Sequence, residues 1–358
     1  MDRINNKGWI NTMARIGLVG FFGWGNYGDE LFHRVWEESV GKFHQTAVVH
    51  EQLREPYFSR PATQIADEFD ALVIGGGDLV IPNKISPLYW NRAWLRRPIY
   101  ISGIGVPTWV KHQAPDVMER LRNFFQHSNI RYISTRDVES AQWIRRHLEP
   151  TVPVHVHADL VFSMHLPPAA RYEQPTVGIN LRSHRKDSDP SHLIRSCQIL
   201  QERGFEIANL VLGTGRTGAV DLEVARSFPL AGQHIISSEN IDDLTSAIGG
   251  LEFLISNKFH GTVIATAYGV SSVVLSSTTK SINLYRALDR RYLLSSNTDE
   301  RMMDKINLAS VPVPSLAIQA LRQDARAGVD EVLDAINTDF PAQALVPATA
   351  AATLDTED

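Results

Sequence analysis

The chain has 358 residues, a formal net charge of −5, 43% hydrophobic residues and one cysteine, Cys197. This length exceeds what one hydrophobic core usually supports, so we expect two domains, and the acidic balance argues against a general nucleic-acid-binding protein. A single cysteine cannot form an internal disulfide, and no apolar stretch is long enough to span a bilayer, so we expect a cytoplasmic protein.

The first half of the chain alternates strand patterns with helical patterns. The run 16–20 predicts a buried strand, 21–30 a glycine-rich loop, and the apolar residues from Leu31 to Val40 a helix. Further strands are predicted at 47–49, 71–74, 99–102, 132–134 and 154–156, with helices at about 115–125 and 135–148. Strands that alternate with helices are typical of a parallel, doubly wound sheet.

The second half repeats this architecture after a proline-rich interruption at 163–175. Strands are predicted at 177–181, 206–212, 235–236, 251–255 and 272–275, and helices at about 190–203, 219–227, after 240, at 261–268 and from 280. We therefore predict an α/β fold of two Rossmann-like, doubly wound parallel-sheet domains that face a cleft in a GT-B-like arrangement. The predicted segments are an N-terminal domain at 15–165, a C-terminal domain at 175–310, a helical segment at 311–340 and a disordered tail at 341–358.

The stretch 251–269 places a cation and a histidine where a strand meets a helix. An apolar strand is followed by Lys258, Phe259 and His260, and then by a helical pattern. In open α/β sheets a helix N-terminus after a strand favours an anion. We therefore predict a site for a small anionic substrate here.

The glycine-rich loop permits two interpretations. Residues 23–28 match the dinucleotide-binding pattern G-x-G-x-x-G, and Glu51 lies near the distance expected for an acid that binds a ribose. Against this, the turn after Val19 is long, and Asp29 and Glu30 would compete with a pyrophosphate for the helix N-terminus. The alternative is that these two acids cap the helix and the glycines allow close backbone packing.

Five motifs occur in one order along the chain. They are G-x-x-G-x-G-N-x-G-D-E at 20–30, G-G-G-D at 75–78, S-x-R-D at 134–137, H-A-D-L-V-F at 157–162, and S-N-K-F-H-G at 256–261 with a lysine at 280. In this order they resemble the polysaccharide pyruvyl transferase family over roughly residues 15–290. Members of that family are similar to GT-B proteins and transfer a pyruvate group from phosphoenolpyruvate to a sugar, forming a ketal.

The resemblance implies roles for individual residues. His260 matches the family's catalytic and donor-binding histidine, while Lys258 and Phe259 stand where the family more often has arginine and leucine. Lys280 matches the family's downstream lysine, and Arg136 its S-x-R-D arginine. Because phosphoenolpyruvate carries a carboxylate and a phosphate, its site needs several fixed cations. The candidate cations are Lys258, Lys280, Arg182 and Arg136.

Some of these candidates have simpler explanations. Arg136 could form a surface ion pair with Asp137, which would also cap a helix. Arg182 opens the basic run 182–186, which could be a solvated loop. His155 and His157 alternate along a predicted strand, as metal ligands can, but the sequence offers no further set with ligand spacing, so we predict no metal site.

The first domain is the predicted acceptor side. The residues expected to line the acceptor side or the cleft are Gly25, Asn26, Asp29, Gly77 and Asp78, with Asp78 a candidate sugar ligand. The aromatic residues Tyr89, Trp90, Trp94 and Trp109 could stack on sugar rings or pack in the core.

Together these observations predict transfer of a pyruvate ketal from phosphoenolpyruvate to a hexose or N-acetylhexosamine of a bacterial surface polysaccharide or its lipid-linked precursor. We expect no cofactor besides the donor and no nucleic-acid partner. A lipid-linked acceptor would bring the protein to the inner face of the plasma membrane. The alternatives are a nucleotide-sugar glycosyltransferase or epimerase, and a non-catalytic saccharide-binding relative.

Overall fold

Two parallel sheets form the framework of the protein, and the computed structural model describes residues 13–182 and 189–341. The strands of the first sheet are β1 (Arg15–Val19), β2 (Gln45–Val48), β3 (Ala71–Asp78), β4 (Ile99–Gly105), β5 (Ile130–Thr135) and β6 (Val154–Val156). Their order is β2-β1-β3-β4-β5-β6, and every neighbouring pair is parallel. The α-helices of this half are α1 (Tyr27–Ser39), α2 (Ala62–Ala66), α3 (Pro115–Phe125) and α4 (Val138–His147).

The second sheet is also parallel throughout. Its strands are β7 (Thr176–Asn180), β8 (Glu206–Leu210), β9 (Gln233–Ile236), β10 (Phe253–Ser256) and β11 (Ser271–Val274), in the order β11-β10-β7-β8-β9. The helices are α5 (Ser191–Glu202), α6 (Gly215–Ser227), α7 (Ile241–Gly249), α8 (Phe259–Tyr268), α9 (Thr279–Ala287), α10 (Met302–Ala309) and α11 (Ser315–Asp339). All residues of β4 and β10 are buried, because helices cover both faces of such sheets.

Each sheet has one position where the order of strand addition reverses. It lies between β1 and β3 in the first sheet and between β7 and β10 in the second. Ligands of open α/β sheets bind outside the carboxyl ends of strands at such positions. Here those ends lead into the glycine-rich loop, Asp78, Arg182 and Lys258, which all border one cleft.

Contacts at the glycine-rich loop join the two halves. The Thr214 amide donates to the carbonyl of Gly25 at 2.8 Å, and Thr217 Oγ1 donates to the carbonyl of Trp24 at 2.7 Å. The long helix α11 then packs on the first half, where the Tyr100 hydroxyl donates to Asp339 Oδ2 at 2.6 Å. The C-terminal helix therefore lies against the N-terminal sheet.

Several predicted helix starts differ from the structure: α1 begins at Tyr27 rather than 31, and α4 at Val138 rather than about 135. Helix α8 begins at Phe259 rather than 261, so Lys258, whose backbone is extended, is its N-cap and His260 lies in its first turn. Helix α6 begins at Gly215 rather than 219. The sequence prediction did not include the short helices α2 and α10.

Cys197 is buried in α5, as expected for a core side chain. Of the tail predicted at 341–358, only residue 341 lies within the described residues. None of the helices in the described ranges is long and apolar enough to cross a membrane.

Candidate active site

A cavity of about 750 Å³ lies in the cleft between the two halves of the chain. Asp29, Asp78 and Trp109 line it from the first half, and Lys258 and His260 from the second. The cavity is bordered by the carboxyl ends of both sheets, which is the usual place for a ligand in this class of fold.

A network of buried and partly buried charges lies beside the cavity. Arg136, which follows β5, has a side chain only 2% exposed and pairs with the carboxylate of Asp78 at the end of β3. Nζ of Lys280 lies 3.3 Å from the other oxygen of Asp78. Both cations lie 5.3 Å from the ring centre of Phe259, within the range of a cation–π interaction. A Cβ at Gly105 would come within 2.6 Å of Asp78 Oδ1, so a glycine makes room for the pair.

The charged side chains of this network shift one another's pKa values. Burial raises the pKa of the Asp78 carboxyl, but Arg136 and Lys280 outweigh burial and leave that pKa below its ordinary value. Burial and the neighbouring Arg136 lower the pKa of Lys280. Because the loss of one partner would leave a buried charge uncompensated, the network is costly to break.

Asp159, which follows β6, connects this network to His260. Oδ2 of Asp159 lies 3.8 Å from Nη1 of Arg136 and 3.6 Å from Nε2 of His260. Burial raises the pKa of Asp159, but His260 and Arg136 bring it below its ordinary value. The other ring nitrogen of His260, Nδ1, packs against Gly28, where any Cβ would overlap the ring. The imidazole is therefore held between the two halves of the chain.

Several buried polar atoms in this region have no hydrogen-bond partner within the described ranges. They are Nε and Nη1 of Arg136, Oδ2 of Asp159 and Nε2 of His260. Leaving a buried polar group unsatisfied costs about 1–3 kcal/mol. Such groups are uncommon in a native fold and often mark a functional site. A polar ligand that binds in this region could therefore form hydrogen bonds with these atoms.

Lys258 is bound within its own domain. Its ammonium group pairs with Asp221 of α6 and donates to the carbonyl of Leu212 at 2.6 Å. Burial lowers the pKa of Lys258, and Asp221 opposes that effect. Arg182 is exposed and lines the cleft cavity. The remaining members of the predicted basic run, residues 183–186, lie outside the described residues.

Asp29, in the first turn of α1, lines the cleft cavity. Burial raises its pKa above the ordinary value, although Asn26 and His260 act in the opposite direction. Nδ2 of Asn26 donates to Oδ2 of Asp29 at 2.6 Å and orients the carboxyl group. Asp29 can therefore act as a proton donor near neutral pH more readily than an exposed aspartate.

Glu30 closes the glycine-rich loop. Its Oε1 accepts hydrogen bonds from the amides of Gly23 and Gly25, both at 2.8 Å. Backbone amides of such a loop are the groups that hold the pyrophosphate in a dinucleotide-binding fold. Glu51, the predicted ribose ligand, accepts a hydrogen bond from the amide of Ser59 at 2.8 Å instead. These contacts weigh against the dinucleotide interpretation.

The aromatic residues of the first half divide into two groups. Trp90 and Trp94 are buried, and each indole N–H donates to a backbone carbonyl, so both belong to the core. Tyr89 is buried but lines the cleft cavity, and Trp109 is 66% exposed at the same cavity. Trp109 is therefore the residue of this group that is free to stack on a ligand.

A second cavity, of about 530 Å³, adjoins the charge network. Phe259 and Lys280 line both cavities and so lie between them, while Arg136 and Asp159 line only the second. The predicted cations are thus divided between two adjoining cavities.

The motifs that end at this cleft agree with a comparison against protein families. The profile described as polysaccharide pyruvyl transferase matches residues 26–279, more than half of the chain. The chain belongs to the polysaccharide pyruvyl transferase family. The resemblance inferred from the ordered motifs is confirmed. A search of individual curated proteins gave no significant match.

Solved structures similar to this pyruvyl transferase family member include UDP-N-acetylglucosamine 2-epimerases and a complex of S. aureus MnaA with UDP. The S. aureus MnaA–UDP complex has a TM-score of 0.57 and 10% identity, covering 91% of this chain and 97% of that chain. The Neisseria meningitidis UDP-GlcNAc 2-epimerase bound to UDP-GlcNAc has a TM-score of 0.54 and 9% identity, covering 90% of this chain and 100% of that chain. These likenesses show the fold alone. They confirm the predicted α/β class with two Rossmann-like parallel-sheet domains in a GT-B-like arrangement.

The structure brings most positions matched to the family's motifs into one region. The residues that form or touch the charge network are Arg136, Phe259, His260, Lys280 and Asp78. Those that line the cleft cavity around it are Asn26, Asp29, Gly77, Lys258 and Arg182. Gly25 lies instead against the backbone of Thr214, at the contact between the two halves. Because Arg136 is buried, its interpretation as a surface ion pair is wrong, although Asp137 does cap α4.

Sequence reasoning assigned no role to two residues of this region. Asp159 stands in one of the five family motifs, and this position could have marked it as a partner of His260. Asp221, the partner of Lys258, lies on a helix without a distinguishing pattern. Only the packing of α6 against the cleft reveals it.

Proposed function

We propose that this member of the family transfers a pyruvate group as a ketal from phosphoenolpyruvate to a hexose or N-acetylhexosamine, with release of phosphate. The acceptor would belong to a bacterial surface polysaccharide or its lipid-linked precursor. The observation that carries the proposal is the buried network of Arg136, Lys280, Asp159 and His260, with its unpartnered polar atoms, in a chain of this family.

The donor would bind at this network. A carboxylate or phosphate could accept hydrogen bonds from Nε and Nη1 of Arg136, which have no hydrogen-bond partner within the described residues, and compete with Asp78 for Lys280. Arg182 and Lys258 line the adjoining cleft cavity, which Lys280 also lines, and add positive charge there from the second half of the chain. A donor that lies between these cations and His260 would have its C2 and C3 atoms close to the imidazole.

The reaction requires two proton transfers from the acceptor. Each of two hydroxyl groups forms a bond to C2 of phosphoenolpyruvate and loses a proton, while C3 becomes a methyl group and the C2–O bond to phosphate breaks. One proton ends on C3 and the other leaves with the phosphate. His260, whose Nε2 lies 3.6 Å from Oδ2 of Asp159, is the proposed acceptor of a hydroxyl proton. Asp29, with its raised pKa, is the proposed donor to C3.

The acceptor would lie on the first-domain wall of the cleft. Trp109 is exposed there, and Tyr57 and Tyr89 also line the cavity. Aromatic faces bind the apolar C–H surface of sugar rings. This wall therefore suits a saccharide better than a second anion.

The test is incubation of the protein with phosphoenolpyruvate and a panel of hexosides and N-acetylhexosaminides. We expect phosphate release that depends on the acceptor and matches the amount of an acid-labile sugar product. A parallel incubation with UDP-GlcNAc tests the epimerase alternative. Absence of phosphate release over the whole panel, or formation of a UDP-sugar epimer, would overturn the proposal.

A further inference from the structure

Three potential metal ligands meet outside the cleft, where α11 crosses the end of β6. Nδ1 of His155 and Nε2 of His157 lie 2.9 and 3.0 Å from the same oxygen, Oε2 of Glu331. One ligand atom from each residue lies within 4.8 Å of the other two. The expectation of no metal depended on the lack of a third ligand near the histidine pair, and Glu331 occupies that position from 174 residues beyond His157.

The spacing of these atoms is close to that of a tetrahedral ion. Zinc bonds of about 2.0–2.2 Å place neighbouring ligand atoms roughly 3.3–3.5 Å apart. The separations from Glu331 to the two histidines are shorter by only about 0.4 Å, so small side-chain rotations would admit the ion. Alternate residues of a strand share a face, which explains why both imidazoles point to α11.

Further contacts hold the ligands in the orientation that a metal needs. Nδ1 of His157 lies 3.3 Å from Oδ1 of Asp324, whose other oxygen accepts a hydrogen bond from the amide of Ala158 at 2.7 Å. With an ion bound at Nε2, this contact would keep the proton on Nδ1, so that the lone pair of Nε2 could bind the ion. The Tyr132 hydroxyl donates to Glu331 Oε2 at 3.1 Å. Carboxylate and hydroxyl partners of this kind are typical of the surroundings of metal ligands.

The site is open to solvent on one side. The side chains of His155 and Glu331 are 39% and 41% exposed, whereas that of His157 is 9% exposed. An ion can therefore enter from water and keep a water molecule as its fourth ligand. Two imidazoles and one carboxylate are a ligand set that suits Zn²⁺.

We propose that His155, His157 and Glu331 form a Zn²⁺ site that fixes the C-terminal helix on the first domain. Strand β6 supplies His155, the residue directly after the strand is His157, and helix α11 supplies Glu331, so the ion would join segments distant in sequence. A hydrogen bond between His44 and Asn337 at 3.0 Å holds the end of the same helix without metal. Zinc would therefore strengthen an existing junction, and this role does not depend on the proposed pyruvyl transfer.

The test uses the full chain, stripped of metal and without an affinity tag. Equilibrium dialysis against ZnCl₂ should give one bound zinc per chain. With free zinc a hundredfold above the dissociation constant, the Tm should rise by about 3 °C. No bound zinc and no rise in Tm would overturn the proposal.

Two variants and one control locate the ion. His155→Phe keeps a ring against Tyr132 and removes a ligand, and Glu331→Gln removes the carboxylate. Each should weaken zinc binding at least a hundredfold and so remove nearly all of the rise in Tm. The control Glu37→Gln changes a His–Glu pair on α1, 3.4 Å apart, which no third ligand joins within the described residues. This control should bind zinc like the wild type. Zinc binding that persists in either folded variant, or is lost equally in the control, would place the ion elsewhere.

Discussion

The molecule contains two histidine–carboxylate clusters that are built in opposite ways. In the cleft, His260 lies 3.6 Å from Asp159, and the facing atoms of both side chains are buried and lack hydrogen-bond partners in the described part of the chain. At the junction of β6 and α11, His155 and His157 both contact Glu331 at about hydrogen-bond distance, and two of the three side chains are partly exposed.

The difference indicates what each cluster is suited to bind. Buried groups without partners destabilise a fold unless a ligand completes them, so the cleft cluster is adapted to a polar substrate. The junction cluster is satisfied by its own contacts and is stable without a ligand. Substitutions in the cleft should therefore change activity or cause a large loss of stability, whereas substitutions at the junction should cost little unless zinc is present.

Replacement of His260 by alanine should have the largest effect. The imidazole is the proposed base for the acceptor hydroxyl, and the loss of such a group lowers kcat by about 10²–10⁴-fold. Acceptor-dependent phosphate release measures the loss. Thermal unfolding should stay near that of the wild type.

The control for this substitution is His33→Ala on α1, because His33 does not line the cleft cavity. It should keep normal turnover. Full activity of His260→Ala would exclude the proposed role of the imidazole. The cleft cluster would then have no better claim to a function than the junction cluster.

Replacement of Arg136 by glutamine should cost the most stability. The substitution leaves Asp159 and part of Asp78 without a cation in a buried environment, and breaking such a pair costs about 3–5 kcal/mol. Urea denaturation measures the change. The control Arg96→Gln removes a pair with Asp67 at the surface, 2.9 Å apart, and should cost about 1 kcal/mol or less. Equal losses in the two variants would contradict the special status of the buried network.

Replacement of Gly28 by alanine should act on His260 without changing a polar group. The new Cβ would overlap the imidazole, so the ring must move away from Asp159. Displacement of a catalytic group by about 1 Å can cost 10²-fold in rate, and we expect a fall in kcat of about 10–100-fold. The control Gly41→Ala places its Cβ 3.5 Å from Thr46, an ordinary contact, and should leave kcat unchanged. Wild-type kcat in Gly28→Ala would show that the position of the ring is not critical.

Replacement of Asp29 by asparagine should change the dependence of stability on pH. The folded-state pKa of Asp29 is raised, so between the unfolded and folded pKa values the folded chain binds more protons, and wild-type stability falls as pH increases through that range. Asparagine does not ionise, so the variant should lack this fall and be more stable than the wild type at pH 7. Thermal unfolding measured from pH 4 to pH 8 shows whether the fall in stability with increasing pH is present.

The control Asp116→Asn lies exposed in the first turn of α3, a position that resembles that of Asp29 in α1. It should keep the wild-type profile. If Asp29→Asn is less stable than the wild type at pH 7, the charged carboxylate contributes more through its contacts than burial costs.

Much of the fold and of the cleft follows from local patterns. Buried parallel strands leave continuous apolar runs, and the glycine and polar motifs at 75–78, 134–137 and 256–261 each lie at the carboxyl end of a strand. Because those ends share an edge in each sheet, the sequence predicts that the motifs of one sheet converge. The sequence does not predict that α6 begins at Gly215, because Gly215 and Gly218 favour a loop. In the structure Gly218 is required because a Cβ there would come within 2.6 Å of the Gly213 carbonyl oxygen.

Partnerships between distant segments could not be predicted in the same way. The approach of Asp159 to His260 depends on how the two halves close, and the approach of Glu331 to His155 depends on where α11 returns. Neither Asp159 nor Glu331 lies in a local sequence pattern that indicates which residue it contacts. A single sequence therefore identifies chemically suitable residues, while the packing of domains decides which of them meet.

Replacement of Glu331 by glutamine tests the junction and should have the smallest effect. In metal-free buffer the glutamine oxygen can still accept a hydrogen bond from Tyr132, so the loss should be about 1 kcal/mol or less. With zinc the wild type should gain stability and the variant should not, so the difference in Tm should widen by about 3 °C. If Glu331→Gln is much less stable than the wild type without metal, buried charge is the main feature of the junction, as it is of the cleft. A small difference that zinc does not change would leave the junction as a set of ordinary surface contacts, and the contrast with His260 would then be one of burial alone.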